Sequence, residues 1–360
     1  MSMIPVTWHR LGRVEYADGL ELQQQFQAAR KADAVTDTLL LLEHPPVLTL
    51  GRGADGTNVL EAPEALARLG VALHETDRGG DVTYHGPGQL VGYPLLHLGP
   101  GRQDVRKYVR SIEEVIIRTL RDFGLEATRI QKWPGVWMES SRLGGPRKIC
   151  ALGVHLSRWY TRHGFALNVD PNLAHFELIV PCGISEAGVT SIAKELPGGA
   201  PSMAEVEDQL VRRFAEVFES VMTEGLAPQP TVCVVVTNAS RDRVLLLQRT
   251  RARGGFWQPV TGRLEANERP DLAARRELVE ETGFDATVHP IDTPHAFAWG
   301  PLVTTPRLAR EFPFMAQVAS TTVRFDPEEH VRFEWVTPDE AVRRVPWAGL
   351  ARAIRTATQR

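Results

Sequence analysis

The sequence predicts a two-domain α/β protein, and three observations carry that reading. The chain has 360 residues, 43% of them hydrophobic, more than a single hydrophobic core ordinarily serves. Short apolar runs of strand length alternate with longer runs of helical periodicity. One segment, Thr223 to Pro230 (TEGLAPQP), interrupts both patterns with two prolines, a glycine and no periodic apolar residues, and reads as a linker. A first domain is expected over residues 1–226, a linker over 227–230 and a second domain over 231–360.

Each element has a local reason. Thr38 to Leu42 and Val47 to Leu50 are apolar runs split by Glu43-His44-Pro45-Pro46, two strands with a turn between them. Pro63 to Leu69 predicts a short helix, with proline in its first turn and Gly70 as its stop. Arg78 to Gly92 is too rich in glycine for a packed helix and reads mostly as loop, followed by a strand from Tyr93 to Leu98. Over Val105 to Phe123, Val109, Ile112, Val115, Ile116 and Leu120 share one helical face, and Gly124 ends it. Gly135 to Met138, Lys148 to Ser157 and Gly164 to Val169 read as strands, and Met203 to Met222 as an amphipathic helix. The second domain opens on strands at Thr231 to Thr237 and Val244 to Leu247.

Composition removes several classes of function. Charged residues make up 24% of the chain and the formal net charge is −3, so neither nucleic acid nor an anionic membrane is expected as a partner. Cys150, Cys182 and Cys233 form no disulfide framework, and no C-x-x-C pair suggests zinc. A reducing compartment suits them. Met1 to Gln24 lacks a basic region followed by an apolar run, and no stretch approaches ~18 uninterrupted apolar residues. The expectation is a soluble, cytoplasmic protein.

Two constellations carry chemistry. In the first, Arg78-Gly79-Gly80-Asp81-Val82-Thr83-Tyr84-His85-Gly86-Pro87-Gly88-Gln89 sets polar side chains in a frame whose glycines permit close backbone approach. It reads equally as a surface turn or a binding loop. Cys182 follows an apolar strand and Pro181, with Gly183 leaving space after it. A free thiol is only a few per cent thiolate at neutral pH, a share that Lys148 or His163 would raise if folding brought either close. On spacing alone Cys182 is equally a buried structural cysteine. Cys150 and Cys233 lie inside apolar runs and read as core.

The segment Arg78 to Gln89 resembles the signature loop of the lipoyl(octanoyl) transferases, the octanoyltransferases of lipoate biosynthesis. The resemblance continues through Pro134-Gly135-Val136-Trp137, Lys148 to Val154, His163 to Val169, Pro181-Cys182-Gly183-Ile184 and Val189-Thr190-Ser191-Ile192. It covers nearly all of residues 4–220, in the family's order. It implies an α+β biotin/lipoate transferase-like fold and a thioester relay that needs no cofactor. Cys182 would take octanoyl from acyl carrier protein. It would pass the chain to a lysine on lipoyl domains of 2-oxoacid dehydrogenase E2 subunits or on the glycine cleavage H protein. Lys148 would activate the thiol. The acyl pocket would be walled by Arg78, Gly79, Gly80, Asp81, Val82, Thr83, Tyr84 and His85, with Ala151, Leu152, Gly153, His163, Gly164, Phe165 and Ala166. The rival readings are an ATP-dependent lipoate ligase and a non-catalytic acyl- or lipoyl-domain-binding module; the intact Cys182 and Lys148 argue against both.

In the second constellation, Pro270 and Gly283 bound a helix on which Glu277, Glu280 and Glu281 share one face. By composition alone this is a solvated acidic face. Gly262 to Glu268, then Arg276-Glu277-Leu278-Val279-Glu280-Glu281-Thr282-Gly283-Phe284, resembles the Nudix box at every fixed position. That implies an α/β/α Nudix sandwich that hydrolyses a nucleoside diphosphate-linked small molecule with Mg²⁺ or Mn²⁺. Glu277 and Glu281 would be metal ligands, Glu280 a ligand or base, and Arg276 the group orienting Glu277. The flanks, including Glu329-His330-Val331-Arg332-Phe333-Glu334-Trp335, are similar to the dihydroneopterin triphosphate pyrophosphatases, which implies Glu329 as a further metal ligand.

Overall fold

A computed structural model describes residues 3–131, 133–139, 145–180, 187–291, 294–299 and 307–359; Cys182 lies outside them. The chain divides into two compact units, the first drawn mainly from residues up to 227 and the second mainly from residues 228 onward. Among the described residues no helix is long and apolar enough to cross a membrane.

Up to residue 224 the elements are β1 (Ile4–Arg13), α1 (Tyr16–Lys31), β2 (Asp37–Glu43), β3 (Val47–Leu50), α2 (Pro63–Arg68), β4 (Ala72–Glu75), β5 (Val82–His85), β6 (Gln89–Leu95), α3 (Val105–Asp122), β7 (Thr128–Ile130), β8 (Trp133–Met138), β9 (Arg147–Ser157), β10 (Tyr160–Asn168), β11 (Gly188–Val189), α4 (Ile192–Glu195), α5 (Met203–Val217) and β12 (Ser220–Glu224). The main sheet runs β12-β1-β2-β6-β10-β9-β8-β7, with β11 added to β9, and a smaller sheet runs β4-β3-β5. Helices α3 and α5 pack together, and Ile112, Ile116, Leu120, Leu210 and Phe214 share a core with sheet residues Leu39, Leu41, Leu90 and Leu167. Leu40 and Leu42 are buried too, which is why β2 reads as a continuous apolar run and not as an alternating one.

Three expectations change. The stretch Arg78 to Gly92 is not mostly loop, because β5 and the first half of β6 lie inside it; β6 pairs with both β2 and β10. That strand ends at Leu95, since the Leu96 amide is taken by the Thr161 hydroxyl at 2.8 Å. The helix expected to reach Met222 stops at Val217, where Glu219 turns the chain at φ +50°. Ser220–Glu224 then pairs in parallel with β1, so the linker-like stretch is extended at both ends, with β13 (Gln229–Asn238) beginning a few residues later.

The second unit continues with β14 (Val244–Arg249), β15 (Trp257–Gln258), β16 (Val260–Arg263), α6 (Pro270–Thr282), β17 (Val288–Pro290), β18 (His295–Trp299), β19 (Arg307–Val318), β20 (His330–Val336), α7 (Pro338–Arg344) and α8 (Ala348–Thr358). Strand β13 explains its architecture. Val232, Val234 and Val236 meet Ala273, Ala274 and Leu278 of α6, while Cys233 and Val235 meet Leu350, Ala353 and Ile354 of α8. The period of two along a strand thus builds two cores, one per face, with a helix over each. Helix α6 starts at Pro270 and ends at Gly283, φ +74°, as its punctuation predicts.

Candidate active sites

The first unit encloses a cavity of about 350 Å³. Arg78, Gly80, Asp81, Val82, Thr83 and His85 line it from the loop entering β5 and from β5 itself. Lys148, Ala151, Leu152 and Gly153 line it from β9, and His163, Gly164, Phe165 and Ala166 from β10. The two strands are antiparallel, with Gly164 opposite Gly153, Phe165 opposite Leu152 and Ala166 opposite Ala151. A Cβ on Gly164 would lie 2.2 Å from the Gly92 carbonyl oxygen, and one on Gly153 would lie 2.9 Å from that of Gly79. Glycine is what lets β6 and the Arg78 loop close onto this hairpin.

The polar groups of the cavity are largely committed to one another. Buried Arg78 donates to the Thr49 carbonyl at 2.6 Å and hydroxyl at 2.8 Å, tying its loop to β3. His85 belongs to a chain of bonds whose direction is fixed at its far end. The Thr190 carbonyl only accepts, so Asn168 offers it Nδ2 at 2.9 Å and turns Oδ1 to Gln89 Nε2 at 2.9 Å. Gln89 Oε1 therefore faces His85 Nδ1 at 2.7 Å. His85 must carry its proton on Nδ1, leaving Nε2 a lone-pair acceptor. Burial, with the neighbouring His44, pushes the His85 pKa down to about 3. Burial likewise lowers His44 to about 4 and, against the pull of Asp77, His163 to about 4. His163 sits at φ +56°, held by Gln23 Oε1 on its N–H at 2.7 Å and by Asp77 on Nε2 at 2.8 Å.

Lys148 is buried, its ammonium 4.8 Å above the Trp137 ring, a cation–π arrangement. Val189 of β11 stands opposite Lys148, and the Thr190 N–H donates to the Lys148 carbonyl at 3.0 Å. Before Pro181, the Val180 N–H donates to Asn58 O at 2.9 Å, and the Asn58 side chain donates to Asp81 at 2.5 Å. Both described flanks of the segment that contains Cys182 are therefore tied to residues of the cavity wall or of its strands.

The second unit gathers carboxylates where α6 meets β16 and the start of β20. A Cβ on Gly262 would lie 1.7 Å from the Glu277 carboxyl carbon, so glycine there makes room for Glu277. Arg276 donates to Glu277 at 2.7 Å, to Glu280 at 3.1 Å and to both oxygens of Glu268 at 3.0 and 2.8 Å. Glu281 is buried and accepts the Thr261 N–H at 3.3 Å; burial, with the Glu277 and Glu329 charges added, pushes its pKa up to about 8 against the pull of Arg249. Ligand atoms of Glu281, Glu329 and His330 lie within 4.8 Å of one another. Carboxylates desolvated and held together in this way fit a divalent cation.

Residues 15–215 match the family described as the lipoyl protein ligase A/B catalytic domain, and residues 227–356 match the NUDIX domain. An octanoyltransferase of Myxococcus xanthus is 50% identical over 359 residues, covering 99% of this chain and 100% of that protein. The chain belongs to the octanoyltransferase family. A second octanoyltransferase, from Solibacter usitatus, is 52% identical over 216 residues, 60% of this chain and 94% of that protein. Among solved structures, the E. coli dihydroneopterin triphosphate pyrophosphohydrolase is 26% identical, covering 36% of this chain and 94% of that one, with a TM-score of 0.32. The chain is an acyltransferase with a Nudix hydrolase domain.

Of the described residues singled out in the octanoyltransferase sequence, all but two line the cavity. Gly79 stitches the loop to β9 through a 3.0 Å bond from its N–H to Val154 O. Tyr84 points to the opposite face of β5, packing with Leu48, Leu66 and Phe176 and bonding His175 at 2.8 Å, because successive strand residues alternate faces. Tyr16, Gly53, Val91, Tyr93 and Pro134 also line the cavity. Of these only Pro134 falls in a stretch that carries the resemblance; the others are brought in from separate elements by the fold. In the Nudix unit, Glu281 and Glu329 meet, Glu277 lies on the Gly262 side, and Glu280 is largely exposed. His330 joins Glu281 and Glu329; its position directly after Glu329 at the start of an apolar strand was the available signal.

Proposed function

We propose that octanoyl passes from acyl carrier protein to a lysine of a lipoyl domain, such as those of 2-oxoacid dehydrogenase E2 subunits or the glycine cleavage H protein, through a thioester on Cys182. What carries this reading is the pairing of Val189 with Lys148 in the cavity wall. Cys182 is seven residues from Val189 in the chain, and its other flank is tied through Asn58 to the cavity residue Asp81. Cys150 and Cys233 are fully buried in the two cores, and burial pushes both thiols up. Only Cys182 is left as a nucleophile among the three cysteines.

In this scheme the Cys182 thiolate, paired with the Lys148 ammonium, attacks the carrier thioester carbonyl, and the departing carrier thiolate takes a proton from Lys148. The lipoyl lysine amine then attacks the acyl-enzyme and gives its surplus proton to Lys148. The amide forms, and the thiolate–ammonium pair is restored. The cavity, at the small end of the ~300–1,000 Å³ range of ligand sites, suits an eight-carbon chain. Its methylenes contribute about 0.8 kcal/mol each on burial. No cofactor is needed, and the thiols suit a reducing cytoplasm.

For the second unit we propose hydrolysis of a nucleoside diphosphate-linked small molecule, with Mg²⁺ or Mn²⁺ held by Glu277, Glu281 and Glu329. A bound divalent cation supplies charge neutralisation at the phosphoryl oxygens. In this reading Arg276 positions Glu277, and Glu280 serves as a further ligand or as the base.

The test is intact mass spectrometry of the full chain mixed with octanoyl-loaded acyl carrier protein. One octanoyl adduct is expected on the wild type and on Cys150→Ser and none on Cys182→Ser. An unmodified wild type whose lipoyl-domain acylation requires ATP would replace this reading with a ligase.

A further inference from the structure

His330 opens β20 with its side chain fully buried, and neither ring nitrogen has a hydrogen-bond partner among the described residues. A polar group buried without a partner has lost its hydration with nothing in return, so an imidazole in this state calls for a ligand. The Glu281 carboxylate faces it, with Oε1 4.0 Å from His330 Nε2. That separation is too long for a hydrogen bond. It is close to the sum of one metal–nitrogen and one metal–oxygen bond, each about 2.0–2.2 Å. Glu281 Oε2 is occupied by the Thr261 N–H, which turns Oε1 toward the ring. Glu329 completes the group, with one ligand atom from each of the three residues inside 4.8 Å. Closing that to bonding distance takes about half an ångström.

The backbone holds the three in place. The His330 N–H donates to Asp326 O at 2.9 Å, and the Glu329 carbonyl accepts from the Thr250 N–H at 3.0 Å. His330 is also in register with Arg249 across β14. Glu329 is held in the meantime by Arg249 and Arg253, each at 3.0 Å. Guanidiniums of this kind also pair well with phosphate oxygens.

We propose that Glu281, Glu329 and His330 form a mixed nitrogen–oxygen cation site that takes a first-row transition ion, Mn²⁺ or Co²⁺, in preference to Mg²⁺. The inference rests on the divalent-cation reading of the Nudix unit and adds a nitrogen ligand to it. Imidazole suits transition ions, whereas Mg²⁺ is served by carboxylate, carbonyl and water.

The experiment is pulsed EPR of Mn²⁺ bound to the full chain, alongside Mn²⁺ and Mg²⁺ titration calorimetry. Wild type should show nuclear coupling from one imidazole nitrogen, which changes to the ¹⁵N pattern when the protein is grown on ¹⁵N-histidine. His330→Asn should lose the coupling and bind Mn²⁺ at least roughly tenfold more weakly, the loss seen even for a supporting partner, with Mg²⁺ affinity little changed. Bound Mn²⁺ without nitrogen coupling overturns the His330 site while leaving the cation reading of the carboxylates intact. Absence of any Mn²⁺ or Mg²⁺ binding overturns both. The isotope arm needs no substitution, so it decides the matter even if His330→Asn fails to fold.

Discussion

The two sites treat their buried polar groups in opposite ways. Around the cavity of the first unit, His85, Gln89 and Asn168 bond to each other and end on a backbone carbonyl, and His44 is held between Val14 O and the Tyr93 hydroxyl at 2.6 and 2.7 Å. In the Nudix unit, His330 is buried without a hydrogen-bond partner among the described residues, and Glu281 is buried with Glu277 and Glu329 charges nearby. A site for a neutral hydrocarbon chain cannot rely on its ligand to satisfy polar walls, so the protein must do so itself. A site for an ion can leave donors unpaired, because the ligand completes them. On the proposed assignments, saturation and its lack separate the two kinds of ligand.

The largest expected effect comes from breaking the chemistry of the saturated site without unpicking its walls. Lys148→Ala should lower single-turnover octanoyl transfer by roughly three orders of magnitude or more, while Nudix hydrolysis by the same protein is unchanged. A loss under tenfold would remove Lys148 from the relay.

Next are the glycines, which set the shape of each site. A Cβ at Gly92 would lie 2.0 Å from the ring of Phe165, a cavity residue. Gly92→Ala should push that ring inward and cost about 1–3 kcal/mol of stability, with transfer shifted toward shorter acyl chains. Gly262→Ala acts on the other unit by displacing Glu277, and should weaken cation binding on the order of tenfold or more with octanoyl transfer intact. Calorimetry and a chain-length series on the two variants check both halves. An unchanged chain-length preference in Gly92→Ala would show that Phe165 does not bound the chain.

The saturated site should also be acid-labile. Burial pushes the His44, His85 and His163 pKa values down to about 4, 3 and 4, from the ordinary imidazole value of about 6.5. Between pH 6.5 and about 4 the unfolded chain binds protons that the folded chain refuses, so stability falls as pH falls. Each histidine contributes on the order of 1.4 kcal/mol per pH unit across that window. Hydrogen exchange of peptides from β5, β6 and β10 in the full chain, corrected for intrinsic rates, should show protection declining below pH 6.5. Constant protection to pH 5 would mean that these imidazoles are not held neutral.

Legibility followed the same division. Strands β2 and β3 and helices α3 and α6 could be read because apolar runs, one-sided periodicity or end residues marked them. Strand β1 and helix α1 went unread. The strand IPVTWHRLGR mixes polar with apolar residues, and YADGLELQQQFQAARK has no capping side chain and a weak apolar face. The end of α5 was hidden because Glu219, not glycine, takes the left-handed turn. In the sites, motif residues were legible where a glycine or a charge cluster marked them. Tyr16, at the start of α1, and Tyr93, in β6, were not, since only the fold brings them to the cavity. His330 stood in plain sight beside Glu329, but its burial and its missing partners are properties of the fold alone.

The smallest expected effect tests whether the unsaturated site is truly waiting for a cation. Arg253 pairs with Glu329 Oε1 at 3.0 Å, from a half-exposed position. Such exposed pairs are worth about 0.2–1 kcal/mol, so Arg253→Gln should barely change stability. It should raise Mn²⁺ affinity by a factor of roughly 1.5–5, the same free energy expressed as binding, because one competitor for the carboxylate is gone. Substrate affinity should move the other way if Arg253 transfers to a phosphate. A drop in Mn²⁺ affinity instead would mean that Arg253 holds Glu329 in its binding position, and that the site is organised before the ion arrives.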